Sequence, residues 1–500
     1  MSSGRRFLLV TAFYFVGIGA FPPDALFWDG IGFLLRAGRG ELHLDPGHAL
    51  YVPSLRLSHG LGAALGIDSW ERTAKLFSAL GATLFFALLW RRLERRRLGS
   101  AVALALAGIG ATTPLLWRQA GIVEPTTWML AALLLAASAA ERYAEKRTVA
   151  RGLAFVGAVL LLLGFHLVAG CALPWLLERA GLTRRRAPRA HLLVPLIALA
   201  LVLLGLWLTG TFATLPSVQN YWRGFLPQLR PDVIAEHATK LGLVLTLGMP
   251  GVLVLGLLGT AVARRKRSEA GPGDDTGGAL WLAVPYLAAF LLLGKPVVGF
   301  STPLTVALVL AAATGLERLA QKRELGRRIV FAVLVLQLLH GGWAASQRAS
   351  APDELQERAE MYAAALPPGS VLFAGTCAYH VRWFTDVPVV AVGNELHTVR
   401  PAPGQQLQEA ILERLGEMTL REAARYEDVY YASDVLGLLE WLWQIDKREL
   451  PLNPSRIVLI RRHPPLFLLP VHLPEQKGSK QPEAAVDAAA SSDHNPVHDE

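Results

Sequence analysis

The sequence predicts an all-α polytopic membrane protein of about eleven transmembrane helices, with a small α/β domain at the C-terminal end. Of the 500 residues, 52% are hydrophobic and only 18% are charged, and the mean hydropathy is +0.36. The apolar residues form blocks of about 18 to 25, the length that a helix needs to cross roughly 30 Å of hydrocarbon. After Ala345 the composition returns to values that are typical of globular proteins.

The basic residues are placed as in a membrane protein rather than a nucleic-acid-binding one. The net charge is +9, but most Lys and Arg residues stand in short clusters between apolar blocks, so no nucleic-acid partner is expected. Helices are expected because lipid offers no hydrogen-bond partner to an exposed backbone. The predicted spans are 6–22, 73–90, 98–116, 125–140, 150–164, 167–178, 191–212, 241–263, 279–293, 302–316 and 329–345.

The distribution of charge predicts the orientation. The N-terminal residues Arg5 and Arg6 and the five inter-span segments on the same side hold 25 Lys and Arg residues, whereas the four loops opposite hold 7. The positive-inside rule places the basic side in the cytoplasm. We therefore expect a multi-pass protein of a bacterial inner membrane, with a cytoplasmic N-terminus and an extracytoplasmic C-terminus. An uncleaved first span is expected, because no small-residue cleavage site follows it.

The stretch 150–178 is long enough to be one helix, but it has a basic cluster on each side. Both flanks should then lie in the cytoplasm, so we expect the chain to cross, reverse near Phe165-His166 and return.

Three regions are expected along the chain: a transmembrane domain at 1–345, an α/β domain at 346–474 and a disordered tail at 475–500. The tail is rich in Lys, Ala, Ser, Asp and Pro and lacks apolar periodicity. Four strands are predicted in the α/β domain, at 370–374, 387–392, 428–432 and 456–461.

The first outer loop, 23–72, carries the densest set of polar and aromatic residues. Within it, Ile31 to Ala37 is apolar enough to form a short interfacial helix, which would hold Asp29 at the membrane surface. A carboxylate there is suited to act as a general base toward an acceptor hydroxyl. The alternative is that Asp29 only caps the helix that follows. Asp24 and Asp45 are reserve candidates.

Several motifs in this order resemble a known family. Trp28-Asp29-Gly30-Ile31-Gly32-Phe33 is followed by His43-Leu44-Asp45-Pro46-Gly47-His48-Ala49-Leu50-Tyr51, then by Gly121-Ile122-Val123-Glu124-Pro125-Thr126 and Gly164-Phe165-His166. The series resembles the protein O-mannosyltransferase-like branch of the GT-C glycosyltransferases. The likeness is detailed over roughly the first 180 residues and extends beyond them only in layout.

The resemblance implies an inverting, GT-C-like enzyme. Such an enzyme takes a sugar from a polyprenyl-phosphate donor and passes it to an acceptor on the outer face, which could be protein, lipid or glycan. Asp29 matches the leading Asp of the family and is the expected catalytic base. The expected substrate-binding residues lie near the outer ends of spans or in the outer loops: Glu124, His48, Tyr51, Arg118, His166 and Lys295.

Two positions depart from the family pattern. Gly30 stands where family members often have a second acid, and Ala49 replaces the second Pro of the Pro-Gly-His-Pro segment. No zinc spacing is present and no metal ligand is assigned. A divalent cation stays open as a cofactor.

Two other functions compete with the glycosyltransferase. A lipid-linked substrate transporter or flippase would need charged residues in mid-span and broken helices. A catalytically inactive envelope scaffold would be compatible with Gly30.

In the C-terminal part, Thr376-Cys377-Ala378-Tyr379-His380 carries a Cys near a His, which without a third partner is expected to be incidental.

The orientation is testable with a reporter that is active only in the cytoplasm. Fused after Glu500 it should be inactive, because the imbalance of basic residues places the C-terminus outside. An active fusion would contradict the orientation, and the same reporter inserted after Gly271, in the polar stretch 268–278, is the positive control.

Overall fold

The computed structural model describes most of the chain, with gaps. The described residues are 3–19, 28–38, 48–96, 98–183, 231–265, 275–292, 298–318, 323–349, 354–375, 377–392, 396, 399, 405, 407–432, 435, 458–460 and 466–470. The predicted span 191–212 and the predicted disordered tail lie outside these residues.

The described chain is mostly helical. Its helices are α1 (Ser3–Gly19), α2 (Trp28–Gly38), α3 (Tyr51–Ala64), α4 (Trp70–Glu94), α5 (Ser100–Ala111), α6 (Pro114–Gly121), α7 (Thr126–Glu145), α8 (Val149–Phe165), a 3-10 helix (Leu167–Ala172), α9 (Leu173–Arg179), α10 (Pro231–Leu243), a π-helical turn (Val244–Gly248), α11 (Pro250–Arg265), α12 (Asp275–Leu292), α13 (Val298–Arg318), α14 (Arg323–Ala349), α15 (Glu354–Ala365), α16 (Ala378–Phe384) and α17 (Leu407–Ala423). A helix lies on each predicted span that is described.

Fewer of these helices are long and apolar enough to cross a membrane by themselves. Among the described residues, α4 and the stretch Glu324–Ala344 of α14 meet that requirement. Two bent helix pairs raise the number to four if each pair is one span: α5 with α6, and α10 with α11. The eleven crossings therefore stay a prediction.

The first bend, of 66°, follows from the sequence Thr112-Thr113-Pro114. Pro114 has no N–H to continue α5, and the Thr113 side chain accepts a hydrogen bond from the Leu116 N–H, which starts α6. The break leaves carbonyls at the end of α5 without helical partners. Gln337 of α14 donates to one of them, that of Ile109. The second bend, of 102°, lies at Met249, just before Pro250.

Basic clusters that the sequence placed on one side are joined by contacts at one end of the bundle. Arg92 at the end of α4 forms a salt bridge with Glu141 near the end of α7. Arg179 at the end of α9 lies 3.7 Å from the same carboxylate. Arg96 donates to Thr314 over 3.1 Å, and these contacts tie four helix ends into one charged layer.

The predicted reversal at Phe165-His166 is present. α8 ends at Phe165, and His166 is extended before the 3-10 helix begins. Near the start of α8, Arg151 donates to the Arg142 carbonyl over 2.6 Å. Beyond the end of α9, the Gly181 carbonyl accepts from Arg147 over 3.2 Å. Both ends of the hairpin therefore lie beside the last turn of α7.

The chain forms two compact units. The first contains residues 1–361 and 379–385, and the second contains 362–378 and 386–500. The sequence placed this boundary at 345, so the first unit extends further and takes in most of α16.

The second unit contains a mixed five-stranded sheet in the order β2-β1-β3-β5-β4. Its strands are β1 (Ser370–Ala374), β2 (Val389–Ala391), β3 (Asp428–Tyr431), β4 (Val458–Ile460) and β5 (Leu466–Pro470). β2, β1 and β3 are parallel, and β5 is antiparallel to β3 and β4. Sequence analysis missed β5, because Pro464, Pro465 and Pro470 around its apolar run argue against a strand.

The charged layer yields a stability prediction. Glu141→Gln should lower the free energy of unfolding by about 2–3 kcal/mol, because it leaves the Arg92 guanidinium, whose side chain is only 8% exposed, without a charge partner. Thermal unfolding in detergent measures the effect. The matched control is Glu145→Gln, whose carboxylate is 71% exposed and 3.8 Å from Arg151; it should cost less than about 0.5 kcal/mol. Equal losses would show that burial of Arg92 is unimportant.

Candidate active site

The first turn of α2 packs against the connection between α6 and α7. A Cβ atom on Gly30 would lie 2.9 Å from the Val123 carbonyl oxygen and 3.1 Å from the Val123 Cβ. Because the distance to the carbonyl oxygen is shorter than real Cβ atoms show, the close approach of the two main chains requires glycine at position 30. The contact brings the main chain around Asp29 beside the residue that precedes Glu124.

This packing gives a physical reason for the departure at position 30. An acidic side chain there would have to displace the Val123 carbonyl. α2 also begins at Trp28, earlier than the predicted start at Ile31, so Asp29 lies in its first turn and not before the helix as a cap would.

The first outer loop also contacts the turn at His166. The Leu50 N–H donates to the Gly164 carbonyl over 2.8 Å, in the last turn of α8. A Cβ on Gly164 would lie 2.5 Å from Leu50 Cδ1, so the leucine covers the glycine directly. Both residues belong to the motifs that carry the family resemblance, which the fold places in contact.

Two predicted substrate-binding histidines meet at this contact. The rings of His48 and His166 are 4.6 Å apart in an edge-on arrangement. His166 Nδ1 accepts a hydrogen bond from the Val168 N–H over 3.3 Å. A nitrogen that accepts carries no proton, so this contact favours the neutral ring with its proton on Nε2.

Tyr51 is a buried residue that packs next to these histidines. It is completely buried, its ring meets Phe33 edge-on at 5.0 Å, and its N–H donates to the His48 carbonyl over 2.9 Å. Burial raises the pKa of the Tyr51 hydroxyl well above its usual value, and the charge of Glu124 adds to this shift. Tyr51 is therefore neutral at physiological pH and lies within electrostatic reach of Glu124.

Further aromatic rings, those of Phe77, Trp128 and Phe165, pack in succession next to Tyr51. None of them was among the predicted site residues. Phe77 stacks on Trp128 at 4.5 Å, and Trp128 stacks on Phe165 at 5.5 Å. The Trp128 indole N–H donates to the Phe77 carbonyl over 2.9 Å. The available signal was their shared position near the outer ends of three predicted spans.

Arg56 is a second residue that sequence analysis missed. From α3 it donates to the carbonyls of Ala37 (3.0 Å) and Arg36 (3.1 Å) in the last turn of α2. A cation at the C-terminus of a helix satisfies free carbonyls and complements the helix dipole. α2 is thus fixed at its end by Arg56 and at its start by the Gly30 contact.

The remaining predicted residues are placed less completely. Arg118 is half-buried in the last turn of α6, three residues before Gly121. Asp24, Asp45 and Lys295 lie outside the described residues. Within the described part of the chain, no group of three or more His, Cys, Asp or Glu residues is arranged to hold a metal ion.

Solved structures share this architecture. ArnT from Cupriavidus metallidurans in the apo state superposes with a TM-score of 0.56 at 13% identity, over 94% of this chain and 98% of that one. The chain therefore shares its fold with this structure. ArnT bound to undecaprenyl phosphate gives 0.55 at the same identity and coverage. The archaeal oligosaccharyltransferase AglB from Archaeoglobus fulgidus, in complex with an inhibitory peptide and a dolichol-phosphate, gives 0.50 at 13% identity over 89% of this chain and 71% of that one.

No family model matches the chain, and no curated protein matches its sequence. The likeness to ArnT and AglB therefore concerns the fold, and it does not single out the O-mannosyltransferase-like branch.

The Gly30 contact is testable by stability. Gly30→Ala should lower the free energy of unfolding by about 1–3 kcal/mol, because the new methyl group forces α2 away from Val123. Gly32→Ala, two residues on, is the matched control: its Cβ would lie 3.5 Å from the nearest atom, an ordinary contact. Thermal unfolding in detergent compares the two, and equal behaviour would rule out the close approach at Gly30.

Proposed function

We propose that the protein is a membrane glycosyltransferase that moves a sugar from a polyprenyl-phosphate donor to an acceptor on the outer face of a bacterial inner membrane. The acceptor oxygen bonds to the anomeric carbon while the bond from that carbon to phosphate breaks. The electron pair leaves with the polyprenyl phosphate, and the configuration at the anomeric carbon inverts.

One observation carries this proposal. In a GT-C fold, the first outer loop, the Val123-Glu124 turn and the Gly164-His166 turn meet at one place. It lies away from the charged layer of Arg92, Glu141 and Arg179, at the other end of α8. Ligands of the neighbours support the donor class, since ArnT binds undecaprenyl phosphate and AglB dolichol-phosphate.

Asp29 is proposed as the general base that takes the proton of the acceptor hydroxyl. Its helix turn is held against the Glu124 turn through Gly30 and Val123. A base fixed in this way stays within reach of a bound acceptor. Glu124 is proposed to orient the acceptor by accepting a hydrogen bond from it.

The donor phosphate is assigned to the histidine pair and to the cations. The neutral His166 ring has an Nε2–H that can donate to a phosphate oxygen. His48, whose ring is beside it, Arg118 and Lys295 are proposed to complete the site, because charge builds up on the phosphate as it leaves. Tyr51 is proposed to line the same site as a buried, neutral residue.

A transporter or flippase is the second candidate, and the two bent helix pairs favour it. The bends, however, are filled by protein. Gln337 donates to the carbonyl that the first break frees, and a Cβ on Gly248 at the second bend would lie 3.4 Å from that of Leu115 near the first. The Ile109 carbonyl at the first bend is therefore already hydrogen-bonded. Gly248 at the second bend is already covered by Leu115.

Turnover decides between the two candidates. Purified protein should transfer a labelled sugar from a synthetic polyprenyl-phosphate donor to an envelope extract, with the released polyprenyl phosphate as a second readout. A transporter or a scaffold would release none, and lipid movement without release would favour the transporter.

Asp29→Asn should lower the turnover number by about 10² to 10⁴ and leave donor binding and the unfolding temperature nearly unchanged, because only the proton acceptor is lost. Asp24→Asn and Asp45→Asn in the same loop are the matched controls. Near wild-type turnover by Asp29→Asn, with loss in a control, would shift the role to that control. Activity in all three variants would leave Glu124 as the leading candidate for the base.

A further inference from the structure

A short segment of the C-terminal part belongs to the first compact unit, which contains the predicted spans and is called the membrane unit below. Residues 379–385 cluster with residues 1–361, whereas the residues on either side, 362–378 and 386–500, form the second unit. The segment includes Tyr379 and His380, from the motif that was expected to be incidental. The fold thus gives α16 a position that the sequence pattern did not indicate.

Tyr379 lies on α2. A Cβ added to Gly32 would be 3.5 Å from Tyr379 Cε1 and 3.9 Å from its Cδ1, so the ring covers the glycine. Gly32 and Gly30 are two residues apart, and residues at that spacing point to opposite sides of a helix. The start of α2 is therefore held between Val123 on one side and Tyr379 on the other.

The segment behind Tyr379 is firmly packed. Trp383 and Phe384 lie against the apolar core of the membrane unit. His380 is completely buried, and its ring stacks with that of Phe384 at 6.2 Å. Tyr379 is thus carried on an anchored helix and presents a fixed surface to Gly32.

We propose that Tyr379 is a positioning residue: through Gly32 it presses the first turn of α2 against Val123 and so holds Asp29 at the distance from Glu124 that the reaction needs. The inference rests on the proposed glycosyltransferase function. A displacement of about 1 Å at a reacting group can lower a rate about 100-fold, so a contact that fixes α2 acts on turnover without any contact between Tyr379 and substrate being needed.

The test is a size exchange across the contact. Tyr379→Ala should lower the turnover number about 10- to 100-fold and leave the KM for the polyprenyl-phosphate donor within about threefold. Gly32→Leu should do the same, because its side chain pushes α2 away from the ring. The double variant, in which the leucine fills the space of the lost ring, should recover to within about fivefold of wild type.

Gly17→Leu is the control for the inserted leucine, since nothing lies within 4 Å of a Cβ on Gly17; it should keep wild-type turnover. A double variant no better than the worse single variant, with a wild-type unfolding temperature, would overturn the positioning role. So would a raised donor KM with unchanged turnover number, which would indicate a binding effect. If wild type itself shows no transfer, the glycosyltransferase proposal fails and this inference fails with it.

Discussion

The need to satisfy carbonyl groups at helix ends organises the membrane unit. The last four carbonyls of a helix have no intrahelical donor, and lipid supplies none. In this protein other parts of the chain supply them. Tyr14 donates to Ala111 over 2.8 Å, Gln337 donates to Ile109, and the Leu50 N–H donates to Gly164. Each of these bonds joins parts of the chain that are distant in sequence. The carbonyls at these helix ends are therefore satisfied only when the bundle is assembled.

The two ends of the bundle solve this problem with different chemistry. At one end the donors are arginines: Arg147 reaches Gly181, Arg151 reaches Arg142, and Arg318 reaches Ala263. At the other end the donors include uncharged groups such as the Leu50 N–H, and close packing on glycine brings backbone to backbone. The first end can hold buried ion pairs, whereas the second brings together the His48, Tyr51, Glu124 and His166 of the candidate site.

Glycine is the means by which α2 becomes part of that site. A helix between two spans needs fixed neighbours if it is to hold a catalytic group, because a mobile loop loses the advantage of preorganisation. Gly30 admits the Val123 backbone and Gly32 admits the Tyr379 ring, while Arg56 holds the far end of the helix. The missing second acid at position 30 is thus understood as a packing requirement.

The sequence by itself determined the membrane class, the positions of most helices, the reversal at His166 and four strands of the sheet, because hydropathy, charge clusters and β-branched runs are local signals. It also identified His48, Tyr51, Glu124 and His166 as candidate site residues, because they lie in recognisable sequence motifs. Only the tertiary structure decided that Phe33 and Trp128 line the same place, that Gly30 excludes an acid and that Tyr379 joins the membrane unit. Those facts depend on distances between residues far apart in the chain, and no local pattern encodes such distances.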